Sequence, residues 1–488
     1  MNLRQKAVKG VVWSAIQSWG RQAISFIVFA LLARLLAPEV FGLVALAGVF
    51  LAFTQVFLDQ GFADAIIQRE QLDPEHLDTA FWFNLGIGLL LTVLGITAAG
   101  VVAAFFSQPP LTPIIRWLSL SFLLRALSAV QEAIFRRNLA FKPLAVRSLM
   151  AVVAGGLVGV TMAFMGFGVW SLVGQQLVDS LVQVIVLWLA SDWRPRLNVS
   201  AKHFRELFSF GINVVGINIL NFFNSRSDDL LIGYFLGPVE LGYYSIAYRL
   251  LQIVTQLLIG VINGLAMPVF SRLQEEPEQL RRALYSAIQL SSLIAFPAFL
   301  GLSVLAPELI VVLFGKQWQQ SIRVMQILSL VGLLYAGFYF NGPVLMAIGK
   351  PTWHLGLTFL QAVGNVVAFA IAVRWGIVAV AAAGVLRGYL MAPLTVWIMY
   401  KLVRIDIATY LRQYAAPLAG SLVMGVTILG TKYLLFDLVN LPTLLTISIG
   451  VSLLVYSVTI RLMAPPLFWK VINLSGSALP RQFGRKFK

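Results

Sequence analysis

Cysteine is absent from the 488 residues, which excludes disulfides, thiol nucleophiles and cysteine-held metals. Histidine is nearly absent too: His76, His203 and His354 are the three, and none has a partner at metal-ligand spacing. Charge is scarce, at 11% of the chain against about a quarter in a soluble domain. No loop between the apolar runs is long enough to hold a soluble domain, and no outer loop is large enough for an active site. Neither G-x-S-x-G nor H-E-x-x-H occurs. GPVLMAIGKP has the look of a phosphate loop, but too many residues separate its glycines and a proline stands where Ser or Thr must reach magnesium. These absences argue against an enzyme, ATP hydrolysis, a metal site or a bound cofactor.

What fills the chain is apolar: 59% hydrophobic residues, 12% of all residues aromatic, and a mean hydropathy of +0.85. About 14 stretches are long enough to span a bilayer, at roughly 11–36, 41–63, 79–106, 112–134, 143–166, 170–191, 207–236, 241–267, 283–314, 321–347, 353–374, 377–400, 413–436 and 441–463. The expected fold is therefore an all-α integral membrane protein. The first stretch is too long for a signal-peptide core and no small-residue cleavage site follows it, so it reads as a retained helix. Asp73 followed by Pro74 reads as the cap of the third span rather than as catalytic acid.

The net charge of +16 would point to nucleic acid in a soluble protein, but its distribution points to topology. With the N-terminus in the cytoplasm, Arg4, Lys6, Lys9, Arg136, Arg137, Lys142, Arg147, Arg194, Arg196, Lys202, Arg205, Arg272, Arg281, Arg282, Lys401, Arg404, Arg412 and the tail from Lys470 to Lys488 fall on one side. The other side receives little beyond Arg34, Arg116, Lys316, Arg323, Arg374 and Lys432. This is the positive-inside asymmetry of a multi-pass protein of the cytoplasmic (inner) membrane, with both termini cytoplasmic. Anionic lipid headgroups are a secondary attraction, and no nucleic-acid partner is expected.

The chain also repeats itself. Shifted by 200 positions, Leu31, Leu36, Pro38, Gly42 and Ala47 fall on Leu231, Leu236, Pro238, Gly242 and Ala247. Shifted by 208, Lys142, Pro143 and Gly168 fall on Lys350, Pro351 and Gly376. Three separate anchors keep their order, more than chance matching among Leu, Gly and Pro favours. The expected organisation is a six-helix lobe over 1–200, a second over 201–405, and two further helices with a basic tail over 406–488. An even number of spans per lobe relates the lobes by an axis along the membrane normal, with a substrate site at their interface.

Polar residues run in stripes along the spans. Asn218, Asn221, Ser225, Asp228 and Asp229 share a face of the seventh, and Ser14, Ser18, Arg21 and Ser25 share one of the first. The eighth carries Ser245, Arg249, Gln252, Gln256 and Asn263; the fourth Arg125, Ser128, Glu132 and Arg136; the sixth Gln175, Gln176, Asp179 and Gln183; the eleventh His354, Thr358, Gln361 and Asn365. Arg387 is nearly alone in the twelfth. An arginine at mid-span costs about 2.5–3.5 kcal/mol even on a lenient scale, so several of them require a cavity or partners. Arg226 beside Asp228 and Asp229, and Arg125 two turns from Glu132, each have a local carboxylate and read equally as structural pairs. Arg21, Arg249 and Arg387 have none nearby in sequence. The candidate cavity set is Arg21, Arg125, Arg226, Arg249, Arg387, Asn218, Asn221, Gln252 and Gln256. Asp179, Asp228 and Asp229 are the carboxylates suited to ion coupling.

ARLLAPEVFGLVALAGVF, FLDQGFADAIIQRE with AFWFNL, RRNLAFKPLA, GFGVWSLV and SRSDDLLIGYFLGPVELGYYSIAYRL together resemble the polysaccharide transporter family of the MOP flippase superfamily, which includes the Wzx-type lipid-linked oligosaccharide flippases. The likeness covers nearly the whole chain and is strongest in its first 250 residues. It implies a V-shaped bundle of two six-helix lobes that alternates access. It also implies export of a polyprenyl-diphosphate-linked oligosaccharide, a lipopolysaccharide or exopolysaccharide precursor, alongside other polysaccharide-assembly proteins. Sugars and a diphosphate cannot cross about 30 Å of hydrocarbon unaided, and arginine forks suit phosphate oxygens. Two other readings are a MATE-like organic-cation antiporter, which calls for an acidic or aromatic cavity, and a membrane glycan polymerase or ligase, which calls for a large catalytic loop.

Overall fold

The structure, a computed structural model, describes the backbone of residues 3–58, 65–67, 73–198, 201–258, 260–435 and 437–469, and within these the side chains except at 3–9, 11, 201–214 and 260–265. No strand occurs among the described residues. Twelve helical segments among them are long and apolar enough to cross a membrane, and helices also occupy the seventh and eighth expected positions. The protein is a multi-pass membrane protein. Large apolar side chains such as Val101, Leu189 and Tyr433 stand well exposed, as a hydrocarbon solvent allows. Arg4, Lys6, Lys9, Lys202, His203, Arg205, Asn263 and the tail beyond Trp469 lie outside the residues whose side chains are described.

Packing divides the chain into two units, Met1–Ile246 with Thr358–Val380, and Ala247–Leu357 with Ala381–Lys488. The first contains α1 (Leu3–Leu35), α2 (Pro38–Leu58), α3 (Pro74–Phe105), α4 (Leu111–Arg137), α5 (Phe141–Phe164), α6 (Val169–Ala190), α7 (Ala201–Phe235) and the start of α8 (Pro238–Leu258). Asp73 does cap α3, with Pro74 in its first turn, and His76 Nδ1 accepts the Asp73 backbone N–H at 3.2 Å. His76 is thus a capping residue.

α3 packs on α4, α5 on α6, and α1 on α5. Glycine sets the α5–α6 approach. A Cβ on Gly155 would lie 2.6 Å from the Gln175 carbonyl oxygen, and one on Gly159 would lie 2.8 Å from the Gln175 Cβ. With neither present the two backbones close up, as small residues four apart permit in membranes. α2 packs on α7, where Val49, Val56 and Phe222 form a buried cluster. Asn365, from the eleventh expected span, donates to the Asn224 side chain of α7 at 2.7 Å.

The second unit holds the rest of α8, α9 (Gly260–Arg272), α10 (Pro277–Val304), α11 (Ala306–Phe314), α12 (Ser321–Ser329), α13 (Val331–Phe338), α14 (Asn341–Ala347), the start of α15 (Pro351–Ala372), most of α16 (Ile377–Val403), α17 (Ile407–Leu435) and α18 (Leu441–Met463). The ninth and tenth expected spans are not continuous helices. The ninth breaks at Leu305, two residues before Pro307; the tenth breaks at Leu330 and again at Tyr339–Phe340. A proline ring clashes with the carbonyl four residues earlier, which for Pro343 is that of Tyr339. Hydropathy sees only apolar length and is blind to such interruptions. The core here gathers Phe270, Leu284, Phe340, Val344, Met399 and Tyr410.

Candidate functional site

The first unit contains a polar cavity of about 320 Å³ lined by Ser14, Gln17, Ser18, Arg21 and Gln22 of α1, Arg136 of α4, and Phe141, Leu144 and Ser148 of α5. Its α1 wall is the polar stripe expected from residue spacing. Its charges are not arranged as expected, however, because Arg21 is paired. Arg21 Nη2 donates to both oxygens of Asp179 at 3.2 Å, and Nη1 to the Ser148 carbonyl at 3.3 Å and hydroxyl at 3.4 Å. Asp179 is far away in sequence; the α5 glycines that let α6 come close bring it within reach. Gln183, one turn on, donates to the same carboxylate at 2.5 Å.

A second charge cluster adjoins it. Glu132 accepts from Arg136 Nη2 at 2.7 Å through one oxygen and from Arg147 Nη1 at 2.8 Å through the other. Arg125 does not bridge to Glu132; it is exposed on α4. Arg147, with its side chain only 8% exposed, was legible only as one of the basic residues on the N-terminal side. Three guanidiniums against two carboxylates leave one net positive charge at this site. Lys142 adds a cation beside it, 5.9 Å from the Trp13 ring centroid.

The same unit holds a buried acidic cluster on α7. Arg226 Nη1 pairs with Asp229 at 2.9 Å, the structural pairing foreseen as one of two readings. Asp228 instead accepts the Tyr244 hydroxyl at 2.8 Å and the Asp229 backbone N–H at 2.9 Å. Tyr244 carries no signal in the polar stripes, since it opens the apolar face of α8. Asn221 is exposed and Asn218 half-buried on α7, and the Asn221 carbonyl accepts from Ser225.

In the second unit Arg249 and Gln256 are exposed on α8 and Gln252 is half-buried. Arg387 is half-buried on α16, and its Nε has no hydrogen-bond partner. No group of three or more His, Asp or Glu able to hold a metal occurs among the described residues.

A profile described as polysaccharide biosynthesis protein matches residues 31–323, more than half of the chain. The chain belongs to that family. The lipopolysaccharide biosynthesis protein WzxC of Escherichia coli (strain K12) is 28% identical over 423 residues, 86% of this chain and 85% of that protein. The succinoglycan biosynthesis transport protein ExoT of Rhizobium meliloti (strain 1021) is 30% identical over 322 residues, 66% of this chain and 65% of its own length. This member of the polysaccharide biosynthesis family also shares a fold with the lipid II flippase MurJ in an inward closed conformation: TM-score 0.77 at 14% identity, over 94% of this chain and 99% of that one. That likeness is one of fold alone.

Proposed function

We propose that this chain is a flippase that carries a polyprenyl-diphosphate-linked oligosaccharide from the cytoplasmic to the periplasmic leaflet of the cytoplasmic membrane, with both termini in the cytoplasm. The observation that carries the reading is the net cationic, hydroxyl- and amide-lined cavity around Arg21. It offers guanidinium donors for a diphosphate and Ser and Gln side chains for sugar hydroxyls, which hydrocarbon cannot supply. Arg387, well inside α16 and with its Nε unbonded, is a second phosphate donor. An organic-cation exporter has no use for either. The names of the relatives, one a transport protein and both tied to surface-glycan synthesis, agree with this cargo.

In this reading the repeats act as two six-helix lobes, over 1–200 and 201–405, that give access to each leaflet in turn. Residues 406–488 stand outside the pathway. Binding the diphosphate means exchanging partners at Arg21, from Asp179 to phosphate, so the ion pair stores the cation in a neutralised state while the cavity is empty. Asp228, buried and held by a hydroxyl and an amide, is the carboxylate best suited to ion coupling. Other proteins of polysaccharide assembly supply and consume the cargo. The test is a deletion strain: lipid-linked oligosaccharide should accumulate on the cytoplasmic leaflet and return to normal when the chain is restored. Unchanged leaflet distribution in the deletion strain would overturn the reading.

A further inference from the structure

The second unit holds an apolar groove of about 620 Å³ between α10, α13, α16 and α17, walled by residues such as Phe296, Leu334, Phe338, Tyr389, Tyr414 and Leu418. The one wall hydroxyl on α16, that of Tyr389, is already bonded to the Leu330 carbonyl at 3.1 Å. Three observations define what fits. First, the wall residues of α16 centre roughly 150° around the helix from Arg387, at 100° per residue, so the groove and Arg387 lie on opposite faces of α16. Second, its wall on α17 runs from Ile407 to Leu418, about 16 Å of helix, which is half of a hydrocarbon core about 30 Å thick. The groove is one leaflet deep. Third, its mouth is cationic. Trp397 lines it, and Lys401, one turn further on, sits 5.0 Å from the Trp397 ring centroid and 5.4 Å from that of Trp353.

Arg404 follows Lys401, and its backbone carbonyl accepts from Arg281 Nη1 at 3.4 Å. Glu278 is paired with Arg281 at 3.6 Å, and Asp406 is occupied as the cap of α17. It accepts the Thr409 N–H at 2.7 Å, a bond that with the neighbouring Arg412 holds its carboxyl below the usual range. We propose that this groove binds one anionic phospholipid from the leaflet at the Lys401 end of α16, with an acyl chain in the groove and the phosphate at Lys401. The tryptophans hold the ammonium at headgroup depth, where a cation and an aromatic belt meet lipid phosphate. The groove shares no lining residue with the cavity around Arg21, and the proposal does not depend on the flippase reading.

The test uses the purified full chain in detergent, with phosphatidylglycerol, phosphatidylethanolamine and polyprenyl phosphate added as probes and bound lipid read by native mass spectrometry. Wild type should retain one phosphatidylglycerol in preference to phosphatidylethanolamine by about five-fold, the contribution of roughly one lysine at a membrane surface. Lys401→Gln should remove the preference. Ala392→Trp, which fills the groove, should remove retention of both phospholipids, and Leu453→Trp on the exposed face of α18 should leave it intact. If Ala392→Trp is not monodisperse on gel filtration, Val396→Phe takes its place. Retention unchanged by Lys401→Gln and by the groove-filling variant would overturn the proposal. So would polyprenyl phosphate displacing phosphatidylglycerol from wild type, since that assigns the groove to the cargo's own tail.

Discussion

Gly42 and Gly242 make the same contact in reverse. A Cβ on Gly42 would lie 1.7 Å from the carbonyl oxygen of Pro238, and one on Gly242 would lie 2.0 Å from the carbonyl oxygen of Pro38. Residue i meeting j' while j meets i' is the signature of a two-fold relation. The sequence shift of 200 positions carries one contact onto the other. The turns LLAPEVFG and FLGPVELG are therefore partners in space as well as copies in sequence.

Gly42→Ala and Gly242→Ala should each destabilise the protein by about 1–3 kcal/mol, the usual cost of forcing extra atoms into a packed contact. Because both act on one interface, the double variant should cost less than the sum. Gly48→Ala, with open space around it, should be neutral or slightly stabilising. Thermal unfolding in detergent measures all four.

The Arg21–Asp179 pair separates structure from transport. Arg21→Ala alone leaves Asp179 without its cation, so loss of protein would say little. Arg21→Ala with Asp179→Asn removes both charges, should restore expression, and should still cut glycan export by about tenfold or more, since a hydrogen bond to a charged group contributes ~1.5–3 kcal/mol. Export at the wild-type rate from the double variant would make the pair purely structural.

Asp228 and Asp229 should behave differently despite being neighbours. Asp229→Asn breaks the pair with Arg226 and should lower folded yield. Asp228→Asn retains an acceptor for Tyr244 and should leave yield near wild type while abolishing any stimulation of flipping by an imposed pH or ion gradient. Equal gradient responses in wild type and Asp228→Asn would remove this carboxylate from coupling.

In the second unit Lys432 pairs with Glu308 at 2.7 Å, the carboxylate side chain being only 4% exposed. Lys432→Ala leaves a buried carboxylate unpaired and should cost about 3–5 kcal/mol, whereas Glu308→Leu with Lys432→Leu should be close to neutral. Unfolding measurements on the two variants check this directly.

Much of the fold was legible because hydrocarbon permits so few solutions: long apolar runs had to be helices, and the cap at Asp73 and the repeat at Gly42 are local signals. The cavity wall on α1 was legible for the same reason, as spacing places Ser14, Ser18 and Arg21 on one face. Pairing was not. Asp179 lies 158 residues from Arg21, and only the close α5–α6 approach joins them. Arg147 read only as one of the basic residues on the N-terminal side, and Glu308 carried no signal; their burial comes from packing that no single span encodes. The breaks at Leu305 and Tyr339 were missed because a hydropathy window averages over a proline.

The most direct test of the account is leaflet-resolved flipping in proteoliposomes. A polyprenyl-diphosphate-linked oligosaccharide is loaded on one leaflet, and a membrane-impermeant glycosidase scores how much reaches the other. The account predicts crossing that requires the chain, falls about tenfold or more with Arg21→Ala/Asp179→Asn, and falls likewise with Arg387→Ala, each removing a charged phosphate donor. Glycan that stays on its original leaflet with or without an imposed gradient, or that crosses equally well in both variants, would contradict it.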